Sequence, residues 1–596
     1  MCRIAGIIAK NKSSVQLEND VKAMCNVMKH GGPDDEGFYS NDSRTLHFGH
    51  RRLSIIDLSQ NGHQPMFYDE GNLVITFNGE IYNYQELKDE LTSLNFKFRT
   101  KSDTEVILAA YQAWGITSFE KLSGMFAFAL YDKRKELNYL VRDKSGIKPL
   151  YYSTTIENLV FASEVKAFKS TSYSYEENPN WKVYFLAFGH LPEPVTTLKN
   201  VYALPKGSYL KYDLQTNIFE IKTLNYKKTS HKTTSSKEAV EKIRELVQKS
   251  IKNHLISDAP IGVFLSGGID SSIISLVAAK HQDISLNTLS INFDDEKFSE
   301  KQYQDLITAK VKGNHSEYTI NQELFEQHFP IALQAMDQPT TDGINSWFIN
   351  YFAKENGLKA VLSGIGADEL FGGYPSSKRM KFVNALSTLP KFLLKSGKYF
   401  NSSALKRSYY LSYKNGLGKY LFLRGLFAPQ EIAQLLNLSI NQVNEILNSI
   451  KVNIPNYLKD EEQAAWLETN LYMQNQLLKD TDFMSMQHGV EVRLPFLDEE
   501  LIAAVTLIQN KIKYKGVRSK SLLIDAFKDL LPEKIWNRNK MGFTFPFQNW
   551  LKHNQFFLSG VSASNNPYIE KATKDFKNDK MHWAKMMAIY QVTNAK

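Results

Sequence analysis

Across residues 226–237 the chain changes character. This stretch (Tyr-Lys-Lys-Thr-Ser-His-Lys-Thr-Thr-Ser-Ser-Lys) is polar and has no apolar period, which reads as an interdomain linker. Before it, short apolar runs alternate with turn signals. Leu73–Phe77, Met125–Tyr131 and Leu159–Ala162 read as buried strands, and Tyr84–Leu94 and Thr104–Trp114 as helices. Strands with few helices predict a layered, largely antiparallel α+β domain. After it, an amphipathic helix over 236–254 leads to strands at 262–265, 287–293 and 359–362. The first and third end in glycine-rich turns. Strands alternating with helices predict a doubly wound parallel sheet, with ligands at the carboxyl ends of its strands. From about Tyr374 the pattern is mainly helical. The expected division is a first domain over 2–225, a linker over 226–237 and a second domain over 238–596.

A chain of 596 residues is too long for one core. No apolar run reaches the roughly 18 residues needed to cross a bilayer, and no basic segment followed by an apolar one opens the chain. Two cysteines argue against a disulfide framework and for a reducing, cytoplasmic setting. Cys25 lies on a helix face and reads as core. The 72 basic and 63 acidic residues leave a charge of +9. The cations are scattered. Their densest stretch, Tyr374 to Tyr413, mixes them with aromatics and leucines, so no nucleic-acid partner is expected, and the lack of a spanning run leaves no membrane partner expected either. A positive bias suits a protein that binds anionic ligands.

Two places carry chemistry. Cys2 follows Met1, and its small side chain favours removal of Met1. The mature chain would begin with a thiol beside a free α-amine, whose reference pKa of about 7.7–8.0 lets it relay a proton. Position alone favours a buried cysteine on a first strand. The second place is Ser266-Gly267-Gly268-Ile269-Asp270-Ser271-Ser272, between a strand and a helix. Successive backbone N–H groups and a helix N-terminus make it an anion cradle. Asp270 would repel phosphate unless it held a metal, so Mg²⁺ is implied. The loop is neither a Walker loop nor a dinucleotide fingerprint.

The loop resembles the pyrophosphate loop of N-type ATP pyrophosphatases. Ser363-Gly364-Ile365-Gly366-Ala367-Asp368-Glu369-Leu370-Phe371-Gly372-Gly373-Tyr374 resembles a signature of glutamine-hydrolysing asparagine synthetases. The resemblance covers nearly the whole chain. It implies that Leu265 and Ile291 flank the adenine and that Ser266, Gly267, Gly268, Asp270, Ser271, Ser272, Ser363 and Gly364 line the ATP site. Asp270 and Asp368 would share Mg²⁺, and Lys520 would contact the phosphates. The N-terminal part resembles class II glutamine amidotransferases, which implies an αββα sandwich of the N-terminal-nucleophile hydrolase type. Cys2 would be the nucleophile. Arg52 and Ile55, in Arg52-Leu53-Ser54-Ile55-Ile56-Asp57, match the glutamine-carboxylate segment. Asn78 and Gly79 would form the oxyanion hole, and Glu80 with Asp103 would bind the α-ammonium. Leu477–Asp498 matches the family's helical synthetase segment, and Arg538–Phe543 its C-terminal landmark.

Ammonia from glutamine would then meet an acyl adenylate, through a sheltered passage whose lining the sequence does not reveal. The sequence departs from the family in three places. Ile365 stands where the synthetases carry an acid. Leu522-Leu523-Ile524 replaces an expected Leu-Arg. Asp337–Asn345, on the acceptor side, keeps only its Asp-Gln-Pro start. The favoured product is asparagine from aspartate. Amidation of a sugar uronic acid, or another carboxylate, for a surface polysaccharide is the alternative. A non-synthesising sensor of glutamine and ATP is a third reading. Oligomeric state is left open, a homodimer being one option.

Overall fold

A computed structural model describes the chain apart from residues 1, 156, 226–231, 282–285, 401, 517, 540, 543–544, 563–565 and 595–596. Met1, the first half of the linker, Lys540 and Phe543 therefore lie outside the described residues. The strands are β1 (Arg3–Ala9), β2 (Asp35–Ser40), β3 (Leu46–Arg52), β4 (Met66–Tyr68), β5 (Leu73–Ile81), β6 (Gly124–Asp132), β7 (Leu137–Arg142), β8 (Tyr151–Thr154), β9 (Asn158–Ala162), β10 (Tyr202–Ala203), β11 (Ser208–Asp213) and β12 (Phe219–Thr223), then β13 (Ile261–Phe264), β14 (Leu286–Phe293), β15 (Gly313–Ile320), β16 (Ala360–Leu362) and β17 (Glu491–Arg493).

The first twelve form two antiparallel six-stranded sheets, ordered β10-β8-β9-β1-β3-β2 and β12-β11-β7-β6-β5-β4. Ile4, Phe48 and Phe161 of one sheet pack against Val74, Ala129 and Leu140 of the other. Helix Ser14–Val27, carrying the buried Cys25, covers the first sheet. Helices Tyr84–Ser93 and Asp103–Trp114 cover the second. This is an αββα sandwich. In β5, Leu73, Ile75 and Phe77 face those helices. The alternate residues therefore face the opposite sheet. Thr76 Oγ1 donates to Gly49 O of β3 at 3.3 Å. The period of two places Asn78 and Glu80 on that same inner face, toward the start of β1.

Helix Ser236–His254 begins the second part, capped by Ser235, whose Oγ accepts from Glu238 N at 3.3 Å. Its buried Ala239, Ile243, Leu246, Val247 and Ile251 recur at helical spacing. A five-stranded parallel sheet follows, ordered β15-β14-β13-β16-β17. The order reverses between β13 and β16, and a crevice opens at such a switch point. Beyond Phe371 the regular elements among the described residues are helices, except β17. The reading of Leu477–Asp498 as helical is corrected there. Helix Leu478–Met486 stops, and Glu491–Arg493 pairs in parallel with Ala360–Leu362. Three residues cannot complete a helical turn's hydrogen bonds, whereas the open edge of β16 satisfies theirs.

The two parts meet across a buried polar seam. Asp482 binds Arg3 at 2.9 Å and Lys148 at 3.1 Å, with all three side chains buried. Asp337 accepts from the backbone N–H groups of Val165 and Lys166 at 2.8 and 2.9 Å. Charges this deep hold position because breaking one pair strands the other.

Candidate active sites

The β1–β5 geometry brings Cys2 and Asn78 together. Cys2 N donates to Asn78 Oδ1 at 3.1 Å, and its Sγ lies 4.0 Å from Leu53 O. Burial raises the thiol pKa, opposed in part by the Leu53 contact and by Arg52. Asn78 is fully buried, and its Nδ2 has no partner among the described residues. A donor aimed into a closed site and left unused is what an oxyanion requires. Gly79 admits no side chain, since a Cβ would lie 2.1 Å from Met125 O of β6.

The residues expected to bind glutamine are each already held by protein groups. Arg52 donates to Ser59 O at 2.9 Å and to Asp57 O. Ile55 is buried, and its carbonyl accepts from Asp258 N at 3.0 Å. Asp103 opens a helix capped by Ser102 and accepts from Ile81 N at 3.0 Å. Burial lifts its pKa to about 6. Glu80 is pushed well above the carboxylate range by burial, against the pull of Arg493.

Arg493 and Glu491 were missed as site residues. Glu491 Oε1 accepts from Arg493 Nε at 2.6 Å, and Glu80 Oε1 lies 3.2 Å from Arg493 Nη2. Buried charges in a three-residue strand leave no periodic signal. Only their pairing across the seam reveals them.

The residues expected to line a nucleotide site assemble at the switch point. Ser266 Oγ lies 3.1 Å from Ser271 Oγ, and Gly268 N donates to Ser266 Oγ at 3.3 Å. Gly267 holds φ +78°, a left-handed conformation that opens the loop onto helix Ile269–Ala278 with Ser272 in its first turns. Leu265 N bonds Leu289 O at 2.8 Å, which ties the loop to β14 and Ile291. Ile291, Ser266, Phe293 and Glu300 line a small cavity there. Arg538 donates to Gly267 O at 3.0 Å and pairs with Glu300. Gly364 lies against Asp270, and Ser363 N donates to Arg493 O at 2.9 Å.

Lys520 Nζ lies 2.5 Å from Asp270 Oδ2 and 2.7 Å from Asp368 Oδ1. Burial alone would lower its pKa, but the two carboxylates outweigh this and raise it. Hard oxygen donors from two loops thus converge on one cation, a donor set that also suits Mg²⁺.

In the segment expected to face the acceptor, Thr340 Oγ1 donates to Asp480 Oδ2 at 2.9 Å. Burial raises the pKa values of Asp342 and Asp480, and lifts Glu369 to about 7. Tyr374 links this corner to the third turn, its OH donating to Glu369 at 2.9 Å. Ile365 is half-buried and packs against the core. A cavity of about 580 Å³ opens beside Thr341 and Asp342, with Arg407, Arg424, Lys571 and Lys580 in its walls.

No helix among the described residues is long and apolar enough to cross a membrane. Residues 1–224 match the glutamine amidotransferase domain family, and residues 242–570 match the asparagine synthase family. The chain is similar to asparagine synthetase [glutamine-hydrolyzing] 1 of Bacillus subtilis (strain 168), at 33% identity over 96% of this chain and 92% of that one. It is similar to a putative asparagine synthetase of Mycobacterium tuberculosis (strain ATCC 25618 / H37Rv), at 30% identity over 88% of this chain and 84% of that one. It is also similar to Amidase chry2 of Gibberella zeae, at 26% identity over 91% and 87% of the two chains. With both halves matched in order and the sandwich and parallel sheet in place, this chain belongs to the glutamine-hydrolysing asparagine synthetase family of carbon–nitrogen ligases.

Proposed function

We propose that the chain hydrolyses glutamine at Cys2 and uses the ammonia to amidate a carboxylate that its second half has adenylated, with aspartate as acceptor and asparagine as product. The supporting observation is β17. Its Arg493 holds Glu80 of the glutamine site by its side chain and Ser363 of the nucleotide site by its carbonyl.

In the first half, assigned to 2–225, the Cys2 thiol attacks the glutamine side-chain amide. Asn78 Nδ2 and Gly79 N–H stabilise the oxyanion. Ammonia leaves, and water releases glutamate from the thioester. Arg52 and Ile55 position the substrate carboxylate, and Glu80 and Asp103 its ammonium. In the second half, assigned to 238–596, the acceptor carboxylate attacks the α-phosphate of ATP. Lys520 meets the phosphates, and Leu265, Ile291, Ser363 and Gly364 hold the nucleotide. Asp270 and Asp368 are the residues that would hold Mg²⁺, which when bound supplies neutralising charge to the leaving pyrophosphate. Ammonia then displaces AMP. Asp342 takes the role of the acid that Ile365 replaces, because it lines the cavity and burial raises its pKa, which favours its holding a proton.

One observation favours the second reading, a larger anionic carboxylate such as a sugar acid. The cavity beside Asp342, at about 580 Å³ with cationic walls, exceeds what aspartate fills. AMP release measured with aspartate, and separately with a panel of uronic acids and their nucleotide-linked forms, tests the two. Release with aspartate alone supports the first reading; release only with sugar acids replaces it.

A further inference from the structure

Between Leu370 and Gln430 the sequence carries eleven Lys and Arg and no Asp or Glu. The rest of the chain holds 61 basic and 63 acidic residues, so this segment accounts for the protein's net positive charge. The same segment concentrates apolar exposure. Of the 21 exposed large apolar side chains among the described residues, seven fall between Phe382 and Leu405. Phe382, Phe392 and Tyr399 are 61%, 70% and 78% exposed.

Helix Lys391–Lys395, the turn Ser396–Tyr399 and helix Ser403–Leu411 pack on one another, and helix Pro375–Leu386 leads into them. Ser408 Oγ donates to Leu394 O at 3.2 Å, while Lys414 Nζ ties back to Ser387 O and Leu389 O. Arg379, Lys381, Lys391 and Lys395 are exposed there, without an acidic partner among the described residues. None of these side chains belongs to either site described above.

We propose that this face docks on an anionic lipid surface. Exposed Phe and Leu gain by entering the boundary between headgroups and acyl chains, and the flanking lysines meet lipid phosphates. The charge selects the occupant. A second copy of this face would bring like charges together. A nucleic acid would satisfy the cations and stack on the aromatics, but leave Leu389, Leu393 and Leu405 exposed. The expectation of no membrane partner rested on the lack of a spanning segment, and surface docking needs none. Ser403, Lys406 and Arg407 of this segment also line the cavity beside Asp342, so the docking face borders that cavity.

The test is co-sedimentation of the full chain with vesicles of phosphatidylcholine alone, or with about one third phosphatidylglycerol. The expected result is binding to the anionic vesicles at least about tenfold tighter, weakening as salt rises. The triple variant Lys381→Glu, Lys391→Glu, Lys395→Glu, and separately Phe392→Ser with Phe400→Ser, should each lose about tenfold or more. Both should unfold at the wild-type denaturant midpoint, which shows that the half they lie in still folds. Equal binding to both vesicle types would overturn the proposal. So would undiminished binding by both variants, or binding of duplex DNA or self-association with no vesicle binding.

Discussion

Arg493 Nη2 lies 3.2 Å from Glu80 Oε1, joining a strand of the parallel sheet to the inner face of the sandwich. Arg493 is fully buried, and Glu491 shares its guanidinium at 2.6 Å. Two carboxylates thus depend on one cation inside the protein. Arg493→Met should cost about 3–5 kcal/mol in denaturant unfolding, because Glu80 and Glu491 are left uncompensated. Adding Glu80→Gln and Glu491→Gln should recover part of it. Full stability in the single variant would show that the bridge contributes little.

Cys2→Ala should reduce glutamate release at least about 10³-fold. Amide synthesis from ammonium salts should persist, since Lys520 and the nucleotide loop lie in the other half. The check is product formation from glutamine and from ammonium in parallel assays. Normal glutamine hydrolysis by this variant would remove Cys2 from the mechanism.

Asp103 sets a pH dependence. Its folded pKa of about 6 lies above the unfolded value of about 3.9. The folded state therefore binds more protons between these values, and this group's contribution to stability falls as pH rises through that window. For function the sign is opposite, because only the carboxylate attracts an α-ammonium. kcat/KM for glutamine should drop as pH falls below about 6. Asp103→Asn should lower kcat/KM throughout and flatten that limb; a limb unchanged in the variant would assign it elsewhere.

Lys520 separates Asp270 from Asp368, at 2.5 and 2.7 Å. Lys520→Ala should lower pyrophosphate release about 10²–10³-fold, the range for removing one group that stabilises developing charge. Glutamate release should be unchanged. A variant that released pyrophosphate normally would place the phosphates elsewhere.

Much of the fold was legible because its signals are periodic or local. The period of two in β5 and the helical spacing of 236–254 report which faces are buried. The loop at Ser266–Ser272 follows a short buried strand and opens a helix, a local pattern that also reveals an anion cradle. Asp270, Asp368 and Lys520 lie far apart in sequence, and it was the family resemblance that grouped them. Strand β17 was not legible. Its three residues carry two charges, which argue for exposure until Glu80, Glu491 and Arg493 are seen to pair. The acid-free segment was visible as a composition, but its exposed Phe392 and Tyr399 were not. Burial of aromatics depends on what packs over them, and no local pattern encodes that.

The most direct test supplies amide-¹⁵N glutamine, Mg-ATP and aspartate to the intact chain and follows labelled asparagine, AMP and pyrophosphate together. The account predicts labelled asparagine and AMP appearing in step. Glutamate without asparagine or AMP would contradict it, and would mean that aspartate is not the carboxylate this second half activates.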